Sequence, residues 1–141
     1  MDKIDEQLIA KLRENARTPA AELARALGLS RTTVQGRLER LERTGVVTGY
    51  TARLSEAYES GRIHAYVMIT VASKQTAAVV AGIRRMPAVR RLQSVSGPFD
   101  LIAAVAAPSV AEMDQLIDAV GALDGVERTT SSIVLSTKFD R

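Results

Sequence analysis

Apolar residues recur at helical spacing in the first third of the chain. A first helix is predicted over residues 4–15, where one face carries Ile4, Leu8, Ile9 and Leu12. A second is predicted over residues 19–27, because Thr18-Pro19 suits the start of a helix and Gly28 suits its end. A third, over residues 31–43, follows Ser30, a residue type that caps helix N-termini. Three short helices therefore open the chain.

The connection between the second and third predicted helices is very short. It consists of residues 28–30, so the two helices must cross steeply, as they do in a helix-turn-helix that binds DNA. Residues 46–54 follow, with β-favouring side chains on either side of a glycine, which predicts a small wing or a linking strand. The first domain is accordingly predicted over residues 1–54, with a linker at residues 55–62.

Beyond Gly61 the pattern of apolar positions changes from mostly helical to alternating. The predicted order is strand, helix, strand, strand, helix, strand, over residues 63–72, 76–86, 89–95, 101–107, 109–124 and 126–136. This βαββαβ order is typical of the ferredoxin-like arrangement, in which helices cover one face of a four-stranded antiparallel sheet. The predicted fold class is therefore α+β, with residues 63–141 as a second domain. The sheet face without helices is rich in apolar positions, which favours a homodimer.

Positive charge is concentrated in the first domain. Residues 1–54 contain ten lysine and arginine residues against seven acidic ones, a net charge of +3, whereas residues 55–141 contain nine of each. A positive field attracts phosphate, so the first domain is expected to meet nucleic acid. The chain has no cysteine, which excludes disulfides and thiolate metal sites, and no apolar run as long as a membrane helix. We expect a cytoplasmic protein with no metal, cofactor or membrane partner.

The third predicted helix presents polar residues away from its apolar stripe. They are the candidate DNA contacts: Arg31, Thr32, Thr33, Gln35, Gly36, Arg37, Arg40 and Arg43. Arginine bonds guanine or phosphate, glutamine pairs with adenine and threonine reaches base edges, which suits a major groove. A solvated face is the alternative, because Glu39 and Glu42 can pair with arginines along the helix. Gly36 costs the helix about 1 kcal/mol relative to alanine and fits either close approach to DNA or a tolerated surface position.

Two polar segments of the second domain are candidates for binding a small molecule. In residues 96–100, Gly97 permits close approach and Asp100 suits an ammonium group, although a simple hairpin turn explains these residues unaided and is the interpretation they favour alone. The hydroxyl residues at 129–132 either bind a ligand carboxylate or satisfy a strand edge. His64 is the only histidine and has no cysteine or acidic cluster near it, so a metal site is not expected. The sequence has no nucleophile or nucleotide-binding motif, and we do not expect an enzyme.

Short motifs in both domains occur in an order that matches a known family. The first domain contains Asp5, Leu12, Arg17, Glu22-Leu23-Ala24, Leu27-Gly28-Leu29-Ser30, Val34, Arg37-Leu38, Leu41-Glu42 and Gly45-Val46-Val47. The second contains Gly61, Pro87-Ala88-Val89, Ser96-Gly97-Pro98-Phe99-Asp100, Gly125-Val126, Thr129 and Ile133-Val134-Leu135. Together they resemble the Lrp/AsnC, or feast/famine, regulators of bacteria and archaea. Each motif is weak alone, but their order over nearly the whole chain is specific.

The resemblance implies a winged helix-turn-helix followed by a RAM/ACT-like domain whose sheets form a homodimer, with dimers assembling into tetramers or octamers. It also implies a small effector, commonly an amino acid, bound near the loop of residues 96–100 and the last strand. The implied effector positions are Ser94, Gly97, Asp100 and Ser132, with Thr129 and Ser131 next. Pro98 and Phe99 depart from the polar or acidic residue and tyrosine of many members, which favours an apolar amino acid or weak or absent binding.

The expected function is that of a transcriptional regulator that binds specific sequences of double-stranded DNA under the control of a small effector. An architectural, nucleoid-type protein is the alternative: it would share the helix-turn-helix but compact DNA with little sequence preference and no effector. A small ferredoxin-like enzyme is the other rival class. It would need a polar catalytic cluster, which His64 and Asp100 alone do not provide.

Overall fold

The computed structural model describes residues 1–140 and divides the chain into two compact units. The first unit, Met1–Arg53, contains three helices: α1 (Lys3–Glu14), α2 (Ala20–Leu27) and α3 (Arg31–Arg43). The second unit begins at Leu54 and contains, in order, α4 (Glu56–Glu59), β1 (Ile63–Val71), α5 (Thr76–Arg84), β2 (Val89–Ser94), β3 (Leu101–Ala107), α6 (Val110–Gly121) and β4 (Val126–Ile133). The predicted α+β class, the three opening helices and the βαββαβ order after Gly61 are confirmed. In the described part of the chain, no helix has the length and apolar character that crossing a membrane requires.

The helix ends of the first unit follow local chemistry. The Ser30 hydroxyl accepts a hydrogen bond from the backbone N–H of Thr33 at 3.1 Å and so caps α3, as predicted. Gly28 ends α2 with φ at +67°, a conformation that glycine adopts without steric cost. The prediction that Thr18 caps α2, with Pro19 as its first residue, was wrong: Pro19 occupies the N-cap position, and the Thr18 hydroxyl donates to the Asn15 carbonyl at 2.8 Å.

A small apolar core joins the three helices of the first unit. Its buried members are Leu8, Leu12, Leu23, Ala24 and Val34. The wing or linking strand predicted over residues 46–54 is not formed, since among the described residues this stretch contains no strand. A strand needs a neighbour to hydrogen-bond with, and residues 1–140 provide no such neighbour for this stretch. The Tyr50 hydroxyl instead donates to Glu42 Oε1 at 2.6 Å, which fastens the segment to α3 and raises the pKa of Tyr50.

The second unit is a four-stranded antiparallel sheet in the order β2-β3-β1-β4. Alternate residues of β1 point to opposite faces, so Ala65, Val67 and Ile69 are buried against the helices. Helices α5 and α6 contribute buried residues to the same core, among them Val79, Ile83, Met113 and Val120. The last strand ends at Ile133, three residues short of the prediction, where its pairing with β1 ends.

The opposite face of the sheet carries no helix. Its central strands present Tyr66 and Met68 of β1 beside Ala104 and Ile102 of β3, which are their register partners. Tyr66 is 49% exposed there. The open face is thus apolar at its centre, as the alternating pattern predicts. Within the predicted linker the chain makes one helical turn, α4, capped by the Ser55 hydroxyl.

Candidate nucleic-acid interface and effector site

Helix α3 presents a polar face made of four side chains and one glycine. Arg31, Thr32, Gln35, Gly36 and Arg43 form this face, and Thr33, Glu39, Arg40 and Glu42 are exposed on α3 as well. Their opposite face is held inward by Val34 and Leu41, which are 0% and 2% exposed. Within residues 1–140, neither Arg31 nor Arg43 has an acidic partner. Within residues 1–140, Glu39 and Glu42 form no ion pair with these arginines, and Glu42 accepts a hydrogen bond from Tyr50. A solvated polar face stays the alternative to a DNA-binding one.

Thr33, a predicted DNA contact, belongs to the helix cap. Its hydroxyl lies 2.7 Å from the Ser30 hydroxyl, and its backbone N–H donates to the same oxygen. Serine and threonine hydroxyls near a helix start commonly form hydrogen bonds with neighbouring groups of the same turn. Thr33 thus stabilises the first turn of α3.

Arg37 and Arg40, two further predicted contacts, are bound to carboxylates at the start of α1. Nη1 of Arg37 donates to both carboxylate oxygens of Asp2, at 2.9 and 2.7 Å, and to Oδ1 of Asp5 at 3.0 Å. Nη2 of Arg40 donates to Oδ2 of Asp5 at 2.7 Å. We call these four residues the α1–α3 charge cluster. It brings together residues that lie 32 to 35 positions apart in the sequence.

The carboxylates of the α1–α3 charge cluster also cap α1. The Asp2 side chain accepts from the backbone N–H of Asp5 at 2.9 Å, and the Asp5 side chain accepts from that of Asp2 at 3.1 Å. The backbone bond from Asp5 and the Arg37 side chain lower the pKa of Asp2 to about 2. Burial acts to raise the pKa of Asp5, but the Asp2 backbone, Arg37 and Arg40 outweigh it, and this pKa is lowered as well. Both groups are therefore carboxylates at neutral pH.

Gly36 lies in the middle of the exposed face of α3. A Cβ built at this position would meet no atom within 4 Å. Packing inside the first unit therefore does not require a glycine here. The two sequence interpretations, close approach to DNA and a tolerated surface glycine, both remain open.

Four of the six predicted effector positions lie at one end of the sheet. Ser94 pairs with Leu101, Leu101 pairs with Ile69, and Ile69 pairs with Thr129, so these residues form one row across the four strands. The loop of residues 96–100 joins β2 to β3 directly beyond this row, with Gly97 at φ +101°. The structure thus brings Ser94, Gly97, Asp100 and Thr129 to the same edge.

Asp100 has a structural partner at this edge. Its Oδ2 accepts from the backbone N–H of Val71 at 2.7 Å, and its own N–H donates to the Ile69 carbonyl at 2.9 Å. The carboxylate therefore secures the end of β1 to the loop. Oδ1 has no hydrogen-bond partner among residues 1–140, which leaves it available to a ligand cation.

Ser131 and Ser132 lie farther along β4 and on opposite faces. Ser131 pairs with Val67 on the helix-covered side, whereas Ser132 pairs with Tyr66 on the open face. One site within a single chain cannot take both hydroxyls. A separate shallow cavity of about 750 Å³ includes Arg62, His64 and Arg90 in its wall and none of the six predicted effector positions.

Sequence reasoning missed the α1–α3 charge cluster. The pattern of an aspartate at position 2 followed by an aspartate at position 5 is a local signal for a helix cap, because the first side chain reaches the backbone three residues on. No local signal points from Asp5 to Arg37 or Arg40. That pairing depends on how α1 and α3 pack.

Comparison with known proteins gives matches over both units. Residues 1–42 match the AsnC-type helix-turn-helix domain, and residues 64–141 match the Lrp/AsnC ligand binding domain. The HTH-type transcriptional regulator FL11 of Pyrococcus furiosus is 27% identical over 96% of this chain and 89% of its own length. The proline dehydrogenase transcriptional activator of Rhodobacter capsulatus is 33% identical over 100% of this chain and 94% of its own length.

Solved structures show the same architecture. A transcriptional regulator of Neisseria meningitidis, in complex with L-Met, superposes with a TM-score of 0.88 at 25% identity. The match covers 99% of this chain and 93% of the Neisseria chain. A DNA-binding helix-turn-helix joined to a ligand-binding domain is therefore the shared plan.

Proposed function

Since the chain belongs to the Lrp/AsnC family of transcriptional regulators, we propose that α3 reads specific DNA sequences and that an amino acid bound to the second unit controls this binding. The observation that carries the proposal is the capped helix α3, whose outward side chains Arg31, Gln35 and Arg43 have no acidic partner within residues 1–140. Helices of this kind place their N-terminal residues against base edges in the major groove.

The test of DNA binding compares two arginine variants. Arg43→Gln removes a proposed phosphate contact and should make the slope of log K against log salt shallower by about 0.9. Arg84→Gln makes the same change in charge on α5 of the second unit and should leave the slope unaltered. Wild-type protein that binds no duplex at low ionic strength would remove the proposal.

The proposal that α3 distinguishes between DNA sequences is tested with a variant of Gln35. A glutamine that pairs with adenine contributes about 1–3 kcal/mol of discrimination against the wrong base. Gln35→Ala should therefore weaken binding to a footprinted operator much more than binding to a random duplex. Equal weakening on both, or a wild-type preference too small to distinguish operator from random DNA, would favour the architectural alternative without sequence preference.

The effector proposal rests on the edge formed by Ser94, Gly97, Asp100 and Thr129. An amino acid would place its ammonium group at Asp100 Oδ1 and its carboxylate at the hydroxyls or at backbone N–H groups of the loop. Pro98 and Phe99 make this loop apolar, and the Neisseria regulator is in complex with L-Met. Methionine and other apolar amino acids are therefore the first candidate effectors.

Calorimetry with each of the twenty amino acids tests this site. Asp100→Asn keeps an oxygen for the Val71 N–H but removes the charge, so it should abolish the heat of binding while the fold remains. Asp114→Asn on α6, also exposed, is the matched control and should bind as wild type does. Absence of heat with all twenty at millimolar concentration would end the proposal for these ligands.

A homodimer through the open sheet face completes the proposal. Tyr66, Met68 and Ile102 give that face an apolar centre of the kind that usually marks an interface. Met68→Glu should give a monomer in sedimentation experiments, whereas Val110→Glu, at an apolar position of α6 that is 73% exposed, should not. Dimers place two α3 helices on half-sites about one DNA turn apart, and further assembly to tetramers or octamers is where an effector would act.

A further inference from the structure

The α1–α3 charge cluster, defined above as Asp2, Asp5, Arg37 and Arg40, occupies one flank of the proposed recognition helix. All three of its ion pairs are short, at 2.7, 3.0 and 2.7 Å between nitrogen and oxygen. Helix α3 contains four arginines, and this cluster holds two of them. The other two, Arg31 and Arg43, lie at the ends of the helix.

Burial distinguishes this cluster from ordinary surface ion pairs. Asp5 is 1% exposed and is the only charged residue within residues 1–140 that is buried. The side chain of Arg37 is 21% exposed, and that of Arg40 is 47% exposed. If either guanidinium left for a phosphate, the buried carboxylate of Asp5 would lose a partner, which is costly because that carboxylate is shielded from water. Surface pairs have no such penalty, because water replaces the lost partner.

The cluster has no net charge, since two carboxylates face two guanidiniums. The affinity of a protein for any duplex depends on how many phosphates its cations neutralise, because each neutralised phosphate releases counterions. Arginines that are already paired with carboxylates neutralise little phosphate charge and therefore cause the release of few counterions. The phosphate-binding charge of α3 is therefore that of Arg31 and Arg43.

We propose that Asp2 and Asp5 are positioning residues that withhold Arg37 and Arg40 from the DNA backbone, so that α3 meets the duplex with two of its four arginines. The proposal rests on the proposed DNA binding and specifies how its strength is set. Withholding cations lowers the affinity for every sequence alike, while base contacts such as that of Gln35 are unaffected. The carboxylates therefore lower the overall affinity and leave the ratio of specific to non-specific affinity unchanged.

The decisive experiment measures the salt dependence of binding to a random-sequence duplex. Arg37→Gln and Arg40→Gln should leave the slope of log K against log salt within about 0.3 of the wild-type value. Arg43→Gln should make it shallower by about 0.9, the contribution of one phosphate. If Arg37→Gln or Arg40→Gln lowers the slope as much as Arg43→Gln does, these arginines contact phosphate and the inference is overturned.

Variants of the acids provide the opposite change. Asp2→Asn and Asp5→Asn keep side-chain oxygens for the helix cap, and asparagine is a good N-cap residue. Each should make the slope steeper, by up to about 0.9 for each arginine released, and the double variant most. Tighter binding to random DNA should accompany this, with a gain of similar size on the operator. Asp118→Asn on α6 is the matched control for the added charge and should leave the slope unaltered.

The outcomes separate this inference from the proposed function. If the wild-type protein does not bind duplex DNA at low salt, both the inference and the proposed function are overturned. Wild-type binding with no steepening in a folded Asp2→Asn, Asp5→Asn double variant overturns the inference alone. Circular dichroism establishes which variants fold. If Asp5→Asn does not fold, the arginine variants and Asp2→Asn decide, because Asp2 is half exposed and its asparagine keeps the cap.

Discussion

Different interactions stabilise the interior of each of the two units. In the first, a small apolar core of three helices is supplemented by the α1–α3 charge cluster with its buried carboxylate. In the second, eleven buried apolar residues join a sheet to two helices, and no ion pair occurs among its described residues. The difference follows from geometry. A sheet covered by helices on one face buries more apolar surface than three short helices can.

Polar side chains have a structural role in the unit that is expected to bind DNA. A recognition helix must leave most of its surface polar and exposed, so it contributes few apolar side chains to a core. Val34 and Leu41 are the fully buried apolar residues of α3 among those described. Carboxylates that bind its arginines add contacts without removing polar surface, and they reduce excess positive charge at the same time.

The largest expected effect is on the apolar cores. Ile69→Ala empties a position that is 0% exposed in the second unit and should lower its free energy of unfolding by about 2–5 kcal/mol, because the cavity is only partly refilled. Hydrogen exchange followed by peptide mass spectrometry in urea should locate the loss in the second unit. Leu8→Ala, equally buried in the first unit, should shift the loss there. If either variant lowered the stability of both units equally, the two units would not have separate cores.

Acid should act next, and on the first unit. The folded pKa of Asp2 is about 2 against an ordinary 3.8, and that of Asp5 is also lowered, so both groups favour the folded state when ionised. Their contribution is present above about pH 4 and is lost as pH falls toward 2. Peptide-resolved hydrogen exchange across this range should show α1 and α3 opening. Asp2→Asn should reduce the pH dependence, and an unchanged acid profile in that variant would contradict the assignment.

A smaller effect is expected at the cap of α3. Ser30→Ala removes the acceptor of the Thr33 N–H and should cost the first unit about 1 kcal/mol. Thermal unfolding followed by circular dichroism provides the measurement. Ser73→Ala, at an exposed serine of the second unit that caps no helix, should cost much less. Similar losses in the two variants would show that the Ser30 cap contributes nothing special.

The smallest expected change is a gain in stability. Gly36→Ala and Gly121→Ala replace exposed glycines of α3 and α6 where a Cβ meets no atom within 4 Å. Each should stabilise its own unit by about 0.5–1 kcal/mol. Only Gly36→Ala should weaken operator binding, provided that α3 approaches DNA closely at that point. Unchanged binding would assign Gly36 to the tolerated surface positions.

Local patterns predicted the elements better than the site. Ser30, Gly28 and the spacing of apolar residues placed α3 within its observed bounds, because caps and helical periodicity depend on neighbours in the sequence. The wing at residues 46–54 failed since a strand exists only if another strand lies beside it. Among the predicted DNA contacts, Arg37 and Arg40 have partners in α1 that nothing near them in the sequence indicates.

For the predicted effector positions too, local sequence identified the loop, and the tertiary structure decided which residues lie beside it. Gly97 and Asp100 were identified as a loop between two strands, and the structure has that loop. Which hydroxyls of β4 share its edge follows from register. Thr129 lies in the row of Ser94, whereas Ser131 and Ser132 point to opposite faces.

By itself, the sequence determined the two-part organisation, the order of helices and strands, and the exposed polar face of α3. These depend on periodicity, caps and turns, which are interactions over a few residues. Only the tertiary structure decided that Asp5 binds Arg37 and Arg40, and that Asp100 binds the backbone of Val71. The partners in these contacts are 29 to 35 positions apart, and their meeting depends on how helices cross and how strands align.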